Sequence, residues 1–207
     1  MTDTPLIHVV DDDESLRTAL LRLLGAAGFE ARGYASTGDF LLQPRPDRPG
    51  CLVLDLRLPG GPSGLDLQAA LEGKGITLPV VFLTGHADVP TSVRAMKAGA
   101  VDFLEKPIRR EALLDALHRA LAQDQRQRAL RDGADSLRSR FALLTPREHE
   151  VFERVVAGKL NKQIADELGI AERTVKAERA QVMAKLGANS AAELGALAER
   201  LQNRPVN

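Results

Sequence analysis

Cys51-Leu52-Val53-Leu54-Asp55 brings four apolar residues to a single carboxylate, and the turn-rich Leu58-Pro59-Gly60-Gly61-Pro62 follows at once. A short apolar run closed by turn formers reads as a buried strand. In an open α/β sheet the chemistry sits at the carboxyl ends of such strands. Three more runs end the same way. Leu6-Ile7-His8-Val9-Val10 leads into Asp11-Asp12-Asp13, Pro79-Val80-Val81-Phe82-Leu83 into Thr84, and Val101-Asp102-Phe103-Leu104-Glu105 into Lys106-Pro107. The strand ends thus supply an acid cluster, a lone acid, a hydroxyl and an ammonium. That set can bind a divalent metal and a phosphoryl group.

Helical patterns fill the gaps between strands. Glu14–Ala27 carries Leu16, Leu20, Leu23 and Leu24 in a stripe of helical period. Further helices are expected at Gly38–Leu42, Leu65–Gly73 and Val89–Ala98, and a fifth starts at Arg110 with Leu113, Ala116, Leu117, Ala120 and Leu121 along one face. With a strand at Glu30–Tyr34, five strands alternate with five helices over residues 1–121. This predicts a doubly wound α/β domain, its parallel sheet covered on both faces. Residues 122–140 are polar and offer no good core face; they read as a linker whose first part extends helix five, with a break at Gly133.

Residues 141–207 are all helical in pattern. Thr145-Pro146-Arg147-Glu148 is a capping box with proline at the first helical position. Gly158 ends that helix, and Asn161 starts a second that closes at Gly169. A third spans Glu172–Leu186 with Val175, Val182 and Leu186 inward, and Ser190–Arg204 forms a fourth. Two short helices around Leu168-Gly169-Ile170 make a helix-turn-helix pattern.

Composition sets bounds on function. Among 207 residues, 44% are hydrophobic, enough for two cores, and 3% are aromatic, so the cores must be built from Leu, Val and Ala. One cysteine gives no disulfide framework and fits a reducing compartment. No apolar run approaches the roughly 20 residues that span a bilayer, and the amino-terminal residues read as no signal peptide, so a cytoplasmic protein is expected. Net charge is −3 over residues 1–121, +2 over 122–140 and +1 over 141–207. The mild asymmetry permits nucleic-acid binding by the carboxyl-terminal part.

A carboxylate can attack a phosphoryl donor and become an acyl phosphate once the repulsion between anions is neutralised. Mg²⁺ suits that task, with its preference for carboxylates, carbonyl oxygens and water. Asp11 and Asp12 could help hold one such ion beside Asp55, Lys106 would pair with a phosphoryl oxygen, and Thr84 would hydrogen-bond another. Asp13, followed by Glu14 and Ser15, reads as a helix cap, and Cys51 as a small core residue.

With these motifs in order at strand ends, the first domain resembles the receiver domain of bacterial two-component response regulators. The resemblance implies a flavodoxin-like (βα)5 fold in which Asp55 accepts phosphate from a sensor histidine kinase. It implies Mg²⁺ on Asp12, Asp55 and the main-chain carbonyl of Arg57, with Asp11 acting through water. Thr84 and Phe103 would form the switch pair, Lys106-Pro107 would be cis, and Gly85 would leave room for the phosphodonor; His86 reads first as a loop residue. No enzymatic activity is expected beyond self-catalysed transfer to Asp55 and hydrolysis from it. A phosphohydrolase of the haloacid dehalogenase type would need Asp-x-Asp, and position 57 is Arg.

The carboxyl-terminal part resembles the LuxR-type helix-turn-helix module. The carrying residues are Leu144-Thr145-Pro146-Arg147-Glu148, Asn161-Lys162-Gln163-Ile164-Ala165, Arg173-Thr174-Val175-Lys176 and Lys185-Leu186-Gly187. The whole chain resembles the FixJ-like subgroup of response regulators. The helix at 172–186 should lie in the major groove of promoter DNA. At about 100° per residue, Lys176, Ala177, Ala180 and Gln181 face away from its core side and become the base-reading candidates, with Thr174 flanking. Arg173, Asn161 and Lys162, near helix starts, are phosphate candidates. Arg179 falls nearer the apolar side. Two residues depart from the family pattern: Glu178 stands where histidine is common, and Ala171 where a serine often caps. The resemblance further implies a homodimer on phosphorylation and RNA polymerase as a partner. Activation by dimerisation and release of an inhibitory receiver contact are equally open.

Overall fold

The computed structural model describes residues 4–44, 47–59, 62–85 and 89–202, with only the backbone of Val89 and Thr91. His86 and the expected helix end at Arg204 lie outside the described residues. The chain forms two compact units that divide between Arg128 and Ala129.

In the first unit five parallel strands, β1 (Leu6–Val10), β2 (Glu30–Tyr34), β3 (Gly50–Asp55), β4 (Val80–Thr84) and β5 (Asp102–Glu105), stand in the order β2-β1-β3-β4-β5. The helices are α1 (Glu14–Ala26), α2 (Thr37–Leu42), α3 (Gly64–Gly73), α4 (Val89–Lys97) and α5, which begins at Arg110. Successive residues of β3 serve opposite faces of the sheet. Leu52 and Leu54 join Val10, Phe82, Phe40, Leu67 and Leu71 on one side. Cys51 and Val53 join Ile7, Val9, Leu20, Leu24, Leu113 and Leu117 on the other. All six β3 residues are buried, which is why that strand reads as an unbroken apolar run.

Register brings the strand ends together. Val10 pairs with Leu54, so Asp11 and Asp55 both follow at the same end of the sheet. Asp55 lies opposite Leu83, and Thr84 opposite Glu105, which places Lys106 one step further on. A Cβ on Gly64 would lie 2.6 Å from the carbonyl oxygen of Asp55, so only glycine lets α3 start this close to β3. Asp13 caps α1, its carboxylate accepting from the main-chain amides of Ser15 (2.9 Å) and Leu16 (3.1 Å).

Helix α5 extends through residues 122–140 as its first part was expected to, and it overturns the expected break at Gly133. It runs without interruption from Arg110 to Ala142, and Gly133 sits inside it. The stretch also contributes to cores: Asp124 is 1% exposed in the first unit, and Leu137 is buried in the second. Asp124 accepts hydrogen bonds from the main-chain amide of Gly50 (3.0 Å) and from Nε of Arg128 (2.9 Å). Arg128 also donates to Asp47 (2.7 Å) and to the carbonyl of Arg48 (2.6 Å). This latch ties the helix to the loop that leads into β3.

The second unit adds α6 (Pro146–Val156), α7 (Asn161–Leu168), α8 (Glu172–Leu186) and α9 (Ala191–Gln202). Its core gathers Leu137, Leu144, Val151, Phe152, Val155, Ile164, Val175, Val182, Leu186 and Leu194. The Thr145 capping box forms with Glu148, and Lys185 Nζ donates to the same glutamate at 2.6 Å. Gly169, at φ 63°, ends α7 in the left-handed conformation and turns the chain toward α8. No helix among the described residues is long and apolar enough to cross a membrane.

Candidate functional site

Four side chains predicted from strand ends meet at one point. Lys106 Nζ lies 2.8 Å from Asp11 Oδ2 and 2.5 Å from Asp55 Oδ2. Asp11 is fully buried and Asp55 is 6% exposed. Asp12 is exposed at the rim, and one carboxylate oxygen from each of Asp11, Asp12 and Asp55 falls within 4.8 Å of the others. Main-chain amides orient two of the acids: Arg57 N–H donates to Asp55 Oδ1 and Asp13 N–H to Asp11 Oδ1, both at 2.9 Å. The Lys106–Pro107 peptide bond is cis.

Burial pushes the Asp11 carboxyl above its ordinary value, although the hydrogen bond and charge of Lys106 pull it down. Burial alone would lower the Lys106 ammonium; its bonds to Asp11 and Asp55 outweigh that and hold it above the ordinary lysine value. Three acids around one lysine leave an excess of negative charge. The donors are hard oxygens grouped closely enough to share one ion, so the residues fit Mg²⁺. Asp11, Asp12 and Asp55 would hold it.

Thr84 is buried beside this cluster in sequence register, and its carbonyl accepts from the amide of Lys106 at 2.7 Å. Phe103 is half-buried and packs against the core on the α3 side of the sheet. Gly85 is exposed, with nothing within 4 Å of where a Cβ would stand. Sequence reasoning missed Arg17, whose guanidinium donates to the carbonyl of Asp11 (2.7 Å) and braces the β1–α1 turn. Its signal was available: it lies one turn beyond the capping Asp13, on the same helix.

On the second unit, α8 presents Arg173, Lys176, Ala177, Ala180 and Gln181 to solvent, while Val175, Val182 and Leu186 are buried. Thr174 is half-buried and Lys162 exposed. Arg179, half-buried, donates to Asn161 Oδ1 (3.1 Å), so the start of α7 is tied to the middle of α8. Ala171 precedes α8 without a side-chain cap. Cys51 is fully buried, and burial with the nearby Asp124 charge drives its thiol well above the ordinary value, as befits a core residue.

The sequence matches the family described as response regulator receiver domain over residues 7–118, and bacterial regulatory proteins, luxR family, over 142–198. Nodulation protein W of Bradyrhizobium diazoefficiens is 46% identical across 95% of this chain and 86% of its own length. The solved structure of the response regulator StyR superposes with a TM-score of 0.83 at 47% identity, covering 95% of this chain and 99% of that one. Full-length FixJ from B. japonicum gives 0.57 at 40% identity over 95% and 97% of the two chains.

The chain therefore belongs to the two-component response regulators, with a receiver domain ahead of a LuxR-type DNA-binding domain. Proteins of this build are phosphorylation-dependent transcription regulators and not enzymes.

Proposed function

We propose that Asp55 is the phosphoacceptor of a sensor histidine kinase and that its phosphorylation turns on promoter binding by α8. The observation that carries this is the position of Asp55: nearly buried, one oxygen held by the Arg57 amide and the other by Lys106, with Asp11 and Asp12 alongside. An Asp55 oxygen attacks the phosphorus of phosphohistidine, a P–O bond forms as the P–N bond breaks, and the imidazole leaves. A magnesium ion held by Asp12, Asp55 and the carbonyl of Arg57, with Asp11 acting through water, would neutralise charge between the anions. Lys106 follows the new phosphoryl oxygens, exchanging its Asp55 contact for one of them.

The consequence is a local electrostatic change read by a packing element. Thr84 meets a phosphoryl oxygen, the half-buried Phe103 turns further inward, and the surface of α4, β5 and α5 is remodelled. That surface then favours a homodimer, which presents two α8 helices to two half-sites. Lys176, Ala177, Ala180, Gln181 and Thr174 would face the bases, and Arg173, Asn161 and Lys162 the phosphates. We assign residues 1–121 to phosphoacceptance and 141–207 to DNA, with 122–140 joining them, a cytoplasmic setting and RNA polymerase as a downstream partner.

The test is the oligomeric mass of wild type and Asp55→Asn with Mg²⁺, before and after acetyl phosphate. A monomer-to-dimer shift in wild type alone is expected. Covalent phosphate on Asp55 without a shift would replace dimerisation by release of an inhibitory contact. Phosphate absent from Asp55 would remove the regulatory half of the proposal.

A further inference from the structure

Side chains tie α8 unevenly along its length. At its start, Ala171 offers no side-chain cap. Near its middle, Arg179 holds Asn161. Its end is held twice. Lys185 Nζ donates to the carbonyl of Leu143 (3.2 Å) as well as to Glu148, and Arg140 Nη1 donates to the carbonyl of Leu186 at 2.9 Å.

Arg140 stands on a fixed base. It lies in the last turn of α5, between Leu137, which is buried in the second core, and Phe141, whose ring centroid is 5.1 Å from that of Phe152 and 4.6 Å from that of His149 on α6. The half-buried guanidinium spans two helices. Its Nε keeps a longer contact to the carbonyl of Ser136 on its own helix (3.4 Å), while Nη1 reaches α8. Leu186 is the last residue of α8, so its carbonyl is one that no amide of the helix satisfies. A cation there also meets the negative end of the helix dipole. A Cβ on Gly187 would stand 2.8 Å from Nη1, so a side chain at that position would displace the guanidinium.

Burial of Val175, Val182 and Leu186 sets how deep α8 lies. Apolar burial is non-directional and restrains sliding along the helix axis, or rotation about it, only weakly. A hydrogen bond to the last carbonyl is directional and restrains both. The candidate base readers, Lys176 to Gln181, all lie within about three turns of that anchor.

We propose that Arg140 is a positioning residue for DNA recognition. From α5 it fixes the carboxyl end of α8, and so the register in which α8 presents its readers to the bases, without touching DNA itself. The inference rests on α8 being the reading helix.

The full-length wild-type chain, treated with acetyl phosphate and Mg²⁺, is used to select a duplex from a random pool. That duplex and a scrambled one of the same composition are then titrated by fluorescence anisotropy at several salt concentrations. Arg140→Met keeps the stem and removes the donors. It should weaken the selected duplex about tenfold, roughly the value of one base contact. The scrambled duplex and the salt slope should not change, since no phosphate contact is lost. Arg140→Lys keeps the charge on a single donor and should lose less, about threefold, again on the selected duplex alone; it keeps the test open if Arg140→Met fails to fold. Lys176→Ala is the control. If it weakens the selected duplex while both Arg140 variants bind as wild type, the positioning role alone is overturned. If no duplex is enriched, or the enriched one is indifferent to Lys176→Ala, α8 is not the reader and this proposal falls with it. Equal losses on both duplexes with a shallower salt slope would overturn the proposal by making Arg140 a phosphate contact.

Discussion

Replacing Asp124 by alanine should destabilise the first unit by about 3 kcal/mol. Its carboxylate is 1% exposed and accepts from Gly50 N–H and Arg128 Nε. Removing it strands the Gly50 amide, a loss of about 1.5–3 kcal/mol for a bond to a charged acceptor. Arg128 loses one partner but keeps the Arg48 carbonyl and Asp47. The Asp47 side chain is 96% exposed, so that pair adds little. Asp124→Asn keeps an acceptor oxygen for Gly50 and gives up the charge, so it should cost about half as much. Arg128→Ala leaves a buried carboxylate with only the Gly50 amide, and the double variant should cost less than the two singles together.

The chain supplies its own probe. It has one tyrosine and no tryptophan, and Tyr34, 9% exposed with its hydroxyl 3.0 Å from His8 Nδ1, sits in the first unit. Urea unfolding of the full chain, followed by tyrosine fluorescence, therefore reports that unit alone. Asp124→Ala should lower the midpoint by about 3 kcal/mol divided by the urea slope, with the slope unchanged. A change under about 0.5 kcal/mol, or equal losses for alanine and asparagine, would refute the argument that a buried charged acceptor holds α5 to the loop before β3.

The same fluorescence should detect the ion. Mg²⁺ at ten times its dissociation constant stabilises by about 1.4 kcal/mol, and Asp12→Asn should abolish that gain; an undiminished gain would remove Asp12 from the ligand set. Lys176→Ala should weaken binding to a cognate operator by about 1–3 kcal/mol in anisotropy titrations; an equal loss on unrelated DNA would make Lys176 a phosphate contact. In the second unit, hydrogen bonds from Lys185 and the Thr145 amide hold the Glu148 carboxyl below its ordinary value of 4.5. The sign follows: the stabilisation is fully present above the unfolded value and is lost as pH falls through the lower folded value. Helicity by circular dichroism should show Glu148→Gln less stable at neutral pH, with the gap narrowing below pH 4.5; a gap constant across that range would count against the ion pair.

The acid site was legible because its members stand at, or just beyond, the carboxyl ends of strands. Asp11, Asp55, Thr84 and Lys106 follow apolar runs, and in a parallel sheet all such ends share one edge. Helix limits came within a residue or two where a cap was chemical, as at Asp13, Thr145 and Gly169. The length of α5 was not legible. Gln, Arg and Asp between 122 and 135 are all tolerated in helices, and Gly133 costs only about 1 kcal/mol there. Polar composition says that a stretch is wet, not that it is irregular.

The latch shows where the reading could have gone further. Leu113, Ala116, Leu117 and Ala120 form the buried stripe of α5, and the next position on that stripe is Asp124. With Arg128 four residues on, the pair looks like an ordinary exposed helix ion pair, the commonest meaning of that spacing. What distinguishes it is phase: the acid continues an apolar face instead of opposing one. A carboxylate in that phase is buried if the helix continues, and it then needs a donor from outside the helix. Here the donor is the Gly50 amide, 74 residues away in sequence. The need for a donor could be read from the helix period, but its identity could not, because it arises only when β3 enters the sheet beside β1.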